Sequence, residues 1–150
     1  MTEHFLLYQN KKVYYRIFGE GKTVVLLHGF GEEGSIWDAQ VKFLSAHFRV
    51  IVPDIPGSGK SEILPHADID TYAVVVKSIV DATTPPNETI SLIGHSMGGY
   101  ITLAFAEKFG AVLNKFGLFH SSSFADSDEK KANRKKAIQF IQENGSAAFL

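Results

Sequence analysis

The segment Gly94-His95-Ser96-Met97-Gly98-Gly99 sets a hydroxyl between residues that carry no side chain. It follows a short β-rich run at 89–93 and precedes an amphipathic stretch at 97–109. A strand that turns directly into a helix strains the residue at the turn, and the neighbours two before and two after must be small enough to let the two elements approach. Gly94 and Gly98 meet that need. A serine so placed stands at a helix amino terminus, where free amides and the helix dipole favour developing negative charge. Ser96 is therefore the candidate catalytic nucleophile for attack on an acyl carbon. The plain alternative is a glycine-rich turn with an exposed serine.

Acyl chemistry also needs two amide donors aimed at the oxyanion. Met97 supplies one by position. The second is expected after the run 23–27, where Gly29 and Gly31 flank Phe30 and leave its amide free to face a substrate. A core aromatic in an ordinary turn is the competing reading for Phe30. Two more segments end predicted strands with unusual chemistry, Asp54-Ile55-Pro56-Gly57-Ser58-Gly59 and His120-Ser121-Ser122-Ser123. Ligands of open parallel sheets bind beyond the carboxyl ends of the strands, so all four segments are expected on one edge.

The elements that must position these residues alternate along the chain. Residues 5–8 and 12–18 read as an antiparallel hairpin turning at Asn10 and Lys11. The run 23–27 reads as a strand buried on both faces. Trp37, Val41, Leu44 and Phe48 recur at helical spacing, and 49–52 forms the next strand. A helix over 69–80, a strand over 89–93, a helix over 97–109 ended by Gly110 and a strand over 116–119 follow. This β-α-β-α-β-α-β order predicts an α/β fold, with a mostly parallel sheet covered by helices on both faces. Asp126 with Glu129 resembles a capping box for a last helix reaching Asn144 and capped by Gly145. That helix has a narrow apolar stripe and reads as peripheral. The composition shift after Phe124 divides the chain into 1–123 and 124–150.

Composition narrows the function classes. The 150 residues carry 15 basic and 16 acidic side chains, a net charge of −1, so no global field draws the chain to nucleic acid or to an anionic membrane. Neither partner is expected. There is no cysteine, which excludes disulfides, thiolate metal sites and a cysteine nucleophile. No apolar stretch has the length of a signal peptide core or a membrane span, and a cytoplasmic location is expected. Gly57-Ser58-Gly59-Lys60-Ser61 imitates a phosphate-binding loop, but Asp54 stands where that pattern needs glycine, and its carboxylate would repel phosphate. Asn87-Glu88-Thr89 is read as a chance glycosylation sequon. Of the six histidines, His28 and His95 belong to the motifs, and His4, His47 and His66 lie on separate segments without ligand spacing. No metal or cofactor is implied. His120 is expected to line the pocket, with a general-base role as the lesser alternative. The basic residues between Lys130 and Lys136 read as a solvated helix face, with recruitment of an anionic substrate as the lesser alternative.

Taken in order, His28-Gly29-Phe30-Gly31, Trp37, Asp54-x-x-Gly57-x-Gly59-x-Ser61 and Gly94-His95-Ser96-Met97-Gly98-Gly99 resemble the α/β-hydrolase fold family over roughly residues 5–123. The resemblance implies a hydrolase acting on a small-molecule ester or related acyl substrate through a serine acyl-enzyme, with the Phe30 and Met97 amides as oxyanion hole. It also implies that 124–150 starts a helical cap. A serine nucleophile separates the chain from the haloalkane dehalogenases and epoxide hydrolases, which use aspartate. Lyases, perhydrolases and carbon–carbon bond hydrolases share the fold, and fold alone does not choose among them.

The family's order is serine, then acid, then histidine. After Ser96 the one histidine is His120, preceded only by Glu107, while Asp126, Asp128, Glu129 and Glu143 come after it. The chain is therefore expected to be catalytically incomplete and to lack the C-terminal strands. The 116–119 strand would be left as a free edge, open to association with another chain or with a missing C-terminal part. A non-catalytic ligand-binding or signalling protein on the same fold, and a fragment of a longer enzyme, are the alternatives.

Overall fold

The computed structural model describes residues 1–149. Two strands, β1 (Thr2–Tyr8) and β2 (Lys11–Phe18), form an antiparallel hairpin, followed by β3 (Thr23–Leu27). The hairpin turns at Gln9 and Asn10, not at Asn10 and Lys11: both residues have positive φ, 48° and 62°, as a two-residue turn of this twist requires. Lys11 instead pairs with Tyr8 as the first residue of β2.

Beyond β3 come α1 (Asp38–Leu44), β4 (Arg49–Pro53), α2 (Ile69–Thr83), β5 (Ile90–His95), α3 (Met97–Phe109), β6 (Leu113–Phe119) and α4 (Asp128–Asn144). The sheet order is β1-β2-β4-β3-β5-β6, with β3, β4, β5 and β6 mutually parallel. All of β3 is buried. Its Val25 and Leu27 pack with α2 and α3 on one face, and its Val24 and Leu26 pack with Trp37 and Val41 on the other. The expected α/β class and mostly parallel sheet are what the chain forms.

Boundaries differ where local turns compete with periodicity. Trp37 ends a short 3-10 turn, Gly34–Trp37, ahead of α1, and Phe48 lies past the helix because the chain is already bending into β4. Thr89 lies outside β5, which runs on through Gly94 and His95. Gly110 ends α3 as expected, but not in a left-handed cap: at φ −53° it continues into another 3-10 turn, Gly110–Val112, and β6 starts at Leu113, not at 116. Asp126 does not cap α4 either. The Ser127 hydroxyl accepts the Lys130 amide, and Asp126 pairs with Arg134. Gly145, at φ 82°, does close that helix, donating to the Ile141 carbonyl. No residue of α4 is buried. Leu150, the last residue of the expected cap segment, lies outside the described residues. Among those described, no helix is long and apolar enough to cross a membrane.

His28 fastens the end of β3 to the loop after β4. Its Nδ1 donates to the Gly29 carbonyl and its Nε2 accepts the Ile55 amide, each at 2.8 Å, in a fully buried position. An amide N–H needs a lone pair to bond to, so the ring is neutral. Burial holds its pKa below the ordinary 6.5, outweighing the bond to the Gly29 carbonyl and the nearby carboxylates of Asp54, Glu32 and Glu33. Below pH 6.5 the unfolded chain takes up a proton that the folded chain refuses, so this contribution to stability is complete above 6.5 and is lost as pH falls towards the lowered folded value. Denaturant unfolding is expected to show that loss, and His28→Ala to remove it. The substitution should cost about 1–3 kcal/mol at neutral pH, because the Ile55 amide is left buried without an acceptor.

Candidate active site

Ser96 occupies the single residue between β5 and α3, at φ 50° and ψ −115°. Such angles are costly for a residue with a Cβ and persist only when neighbours enforce them. Here the Ser96 amide donates to the Phe119 carbonyl at 3.0 Å, and the Ser96 carbonyl accepts from the Ser121 hydroxyl at 2.8 Å and the Gly99 amide at 2.9 Å. The glycines around it are sterically required. A methyl group at Gly94 would run into the Gly98 carbonyl, and one at Gly98 would lie 2.6 and 2.7 Å from the carbonyls of Leu27 and His28. Helix α3 therefore touches the end of β3 backbone to backbone.

The register of the sheet decides what faces Ser96. Leu27 pairs with Gly94 and His95 with Phe119, so the loops at 28–31 and 120–123 leave the same edge as the serine. A methyl at Gly29 would lie 3.0 Å from the Ser96 Cβ. Met97 opens α3, where no intrahelical acceptor exists for its amide. Phe30 projects outward, 60% exposed, beside Gly31 at φ 73°. A cleft of about 750 Å³ lies beyond these strand ends, lined by Phe30, Glu32, Ile36, Ile63, Tyr72 and Met97 and, from the C-terminal region, by Ile141 and Phe149. The Phe149 and Phe30 rings meet edge to face at 6.2 Å. A second hollow, about 640 Å³, opens at the amino ends of β3 and β5 beside Lys22 and Glu88 and holds none of the motif residues.

Asp54 serves structure. Its buried carboxylate accepts the Gly34 and Lys60 amides at 2.8 and 2.9 Å, and its carbonyl accepts the Ser61 hydroxyl, which in turn receives the Tyr14 amide. The loop that imitates a phosphate site is thus closed around its own carboxylate.

His120 differs from expectation. It sits at the predicted edge, but it is exposed, and neither it nor Ser96 is among the cleft-lining residues, which reach the turn only at Met97. Its left-handed backbone, φ 47°, swings the ring onto Phe119 and towards His95, with centroids 4.5 and 6.1 Å away.

Two side chains contribute that were given no role from the sequence, although Ser121 lies in a segment singled out there. Ser121 braces the Ser96 carbonyl, and Glu32 joins two segments: its Oε2 accepts the Gly29 amide at 2.6 Å and the His95 Nδ1–H at 2.9 Å. Only the β3–β5 register, which puts residue 28 level with residue 95, could have disclosed the second. Among the described residues no three carboxylate or imidazole groups converge as metal ligands would.

The family model for the alpha/beta hydrolase fold matches residues 22–140. The chain is 34% identical over 96 residues to a pimeloyl-[acyl-carrier protein] methyl ester esterase of Proteus mirabilis, covering 63% of this chain and 35% of that protein. It is 30% identical over 125 residues to a putative carbamate hydrolase of Pantoea ananatis, covering 79% and 45%. The solved structure of a thermophilic esterase from Thermogutta terrifontis, with malate bound, matches at a TM-score of 0.87 and 30% identity, covering 97% of this chain and 55% of that one. The chain spans less than half the length of these two curated relatives.

The strained turn predicts opposite outcomes for two glycines. Gly94→Ala should destabilise by about 1–3 kcal/mol or more, because the new methyl forces strand and helix apart. Gly110→Ala, where the backbone is helical and a Cβ meets nothing within 4 Å, should be neutral or stabilise by up to about 1 kcal/mol. Parallel denaturation curves of the two variants check both.

Proposed function

Because the chain belongs to the α/β hydrolase fold family, we propose that it carries the nucleophile of a serine hydrolase acting on an ester or related acyl substrate, with Ser96 as that nucleophile. The observation that carries this reading is the backbone of Ser96, φ 50° and ψ −115°, at the junction of β5 and α3. Enforced strain of this kind clusters where chemistry is done. The names of the esterases among the similar proteins support the same reaction class.

In the first step the Ser96 Oγ attacks the carbonyl carbon and gives its proton to a base, while the carbonyl electrons move onto oxygen. The amides of Phe30 and Met97 hold that oxyanion. Collapse breaks the bond to the alcohol, which leaves with the proton, and an acyl-serine remains. Water then repeats the sequence on the acyl-serine and frees the acid.

A base is the part that these residues do not supply in our reading. His28 is locked between Gly29 and Ile55, His95 gives its Nδ1–H to Glu32, and the His120 ring lies on Phe119 and faces His95. We read the 150 residues as catalytically incomplete, with 1–123 as hydrolase core and 124–150 as the start of a cap; the cleft contacts of Ile141 and Phe149 support the cap. The free edge of β6, with Phe116 and Phe119 about half exposed, is the surface we assign to association with a further strand or chain.

The test is fluorophosphonate labelling of the full gene-encoded protein. We expect a single labelled peptide containing Ser96, no labelling of Ser96→Ala, and a loss of ester hydrolysis on the order of 10⁴–10⁶ in that variant. Labelling elsewhere, or none, would sink the hydrolase reading in favour of a ligand-binding protein on this fold. Residues 1–150 expressed alone should hydrolyse p-nitrophenyl acetate far more slowly than the full protein and should self-associate in sedimentation. Equal rates, abolished in both by Ser96→Ala, would reveal a base within these residues.

A further inference from the structure

The two amides assigned above to the oxyanion lie on separate segments, Phe30 on the loop after β3 and Met97 on the first turn of α3. Their separation must be held within a few tenths of an ångström for both to reach one oxygen. Backbone packing of Gly98 on the carbonyls of Leu27 and His28 fixes the root of that loop. Nothing in that packing fixes residues 29–31, which lie further out and include Gly31 in a left-handed conformation.

Glu32 supplies the missing tie. Its Oε2 is shared by two donors, the Gly29 amide at 2.6 Å and the His95 Nδ1–H at 2.9 Å, and His95 directly precedes Ser96. The pair is shielded, with side-chain exposures of 22% for His95 and 29% for Glu32, so water competes weakly for these bonds. The His95 ring is wedged against Trp37 and Phe119, at centroid distances of 6.5 and 5.8 Å, and is itself a firm anchor. The bond to Gly29 also removes that amide from those that could face the cleft.

We propose that Glu32 is a positioning residue of this site: through His95 it clamps the loop that carries the Phe30 amide to the turn that carries Ser96 and the Met97 amide. The proposal rests on the serine-hydrolase reading. What acts is the hydrogen-bonding oxygen, not the charge. A carboxylate beside a developing oxyanion opposes it electrostatically, so a neutral acceptor of the same shape should serve as well or better.

The experiment measures p-nitrophenyl acetate hydrolysis and fluorophosphonate labelling of the full gene-encoded protein and its variants. Glu32→Ala should lower kcat roughly ten- to a hundredfold, the penalty of a misplaced donor, with KM little changed. Glu32→Gln, whose amide oxygen accepts both bonds, should retain wild-type kcat or exceed it. His95→Phe keeps the aromatic packing and removes the donor; it should reproduce the Glu32→Ala loss, and the double variant should lose no more than either single one. If Glu32→Ala fails to fold, His95→Phe and Glu32→Gln still decide. Wild-type kcat in Glu32→Ala or in His95→Phe overturns the proposal, as does a Glu32→Gln loss as large as that of Glu32→Ala. A wild-type protein that neither hydrolyses the ester nor labels at Ser96 overturns the underlying reading instead.

Discussion

A residue with a side chain is held at φ 50° between a strand that ends one position before it and a helix that begins one position after it. Such a conformation costs on the order of 1–3 kcal/mol and has no slack in which to relax. The rest of the structure keeps it in place. Strand β6 offers the Phe119 carbonyl to its amide, the loop after β6 sends Ser121 to its carbonyl, and β3 offers its terminal carbonyls as the surface on which α3 rests through Gly98. Three neighbouring parallel strands thus meet at one turn. Their registers, Leu27 with Gly94 and His95 with Phe119, are the long-range consequence of the two missing side chains at positions 94 and 98.

What was legible in the sequence follows the range of the interaction concerned. Strand β3 and helix α3 were readable to the residue, because an unbroken apolar run and a glycine-to-glycine amphipathic run are decided by burial alone. The convergence of the strand ends followed from chain order and handedness. Boundaries set by local competition were not readable. Asn10 with Lys11 looks as turn-like as Gln9 with Asn10 until the pairing partner of Lys11 is known. Asp126 and Ser127 are both good helix caps, and the choice fell to Ser127 because Arg134, a helical residue further on, takes the Asp126 carboxylate. Gly110 does stop α3, but the 3-10 turn after it, which brings Leu113 into register with Ile90, left no signal, so β6 starts at Leu113 and not at 116. Cross-strand side-chain contacts were invisible. Glu32 and His95 are 63 positions apart, and the His120 ring turns onto Phe119 through a backbone sign that residue type does not announce.

The site separates two kinds of information. The groups suited to bond making are backbone amides, a hydroxyl at a helix start and the glycines that let them approach; the buried sheet fixes those at the β5–α3 turn, and Glu32 ties the loop after β3 to them. The groups that would touch the rest of a substrate are side chains on its periphery: Ile36 on a 3-10 turn, Ile63 on the loop after β4, and Ile141 on a helix with no buried residue. Surface loops and weakly packed helices change at little cost to the core, whereas a methyl group at Gly94 or Gly98 collides with backbone. Similarity to proteins named for different substrates is therefore what this architecture leads one to expect: the shared part is the part that cannot change.

The same division bears on α4. Its mean composition is too polar for it to fold onto the sheet for its own sake, and its basic residues are partly occupied by local carboxylates, Arg134 with Asp126 and Lys131 with Asp128. What reaches the cleft is its far end, Ile141, together with Phe149 beyond it, which meets Phe30 and Phe140 edge on. An apolar contact of that size contributes little unless something else fills the space between. That space has Phe30 and Met97 on the side of the sheet and Ile141 and Phe149 on the side of α4. Helix α4, with no buried residue of its own, is thus joined to the cleft by these few ring contacts and not by the core.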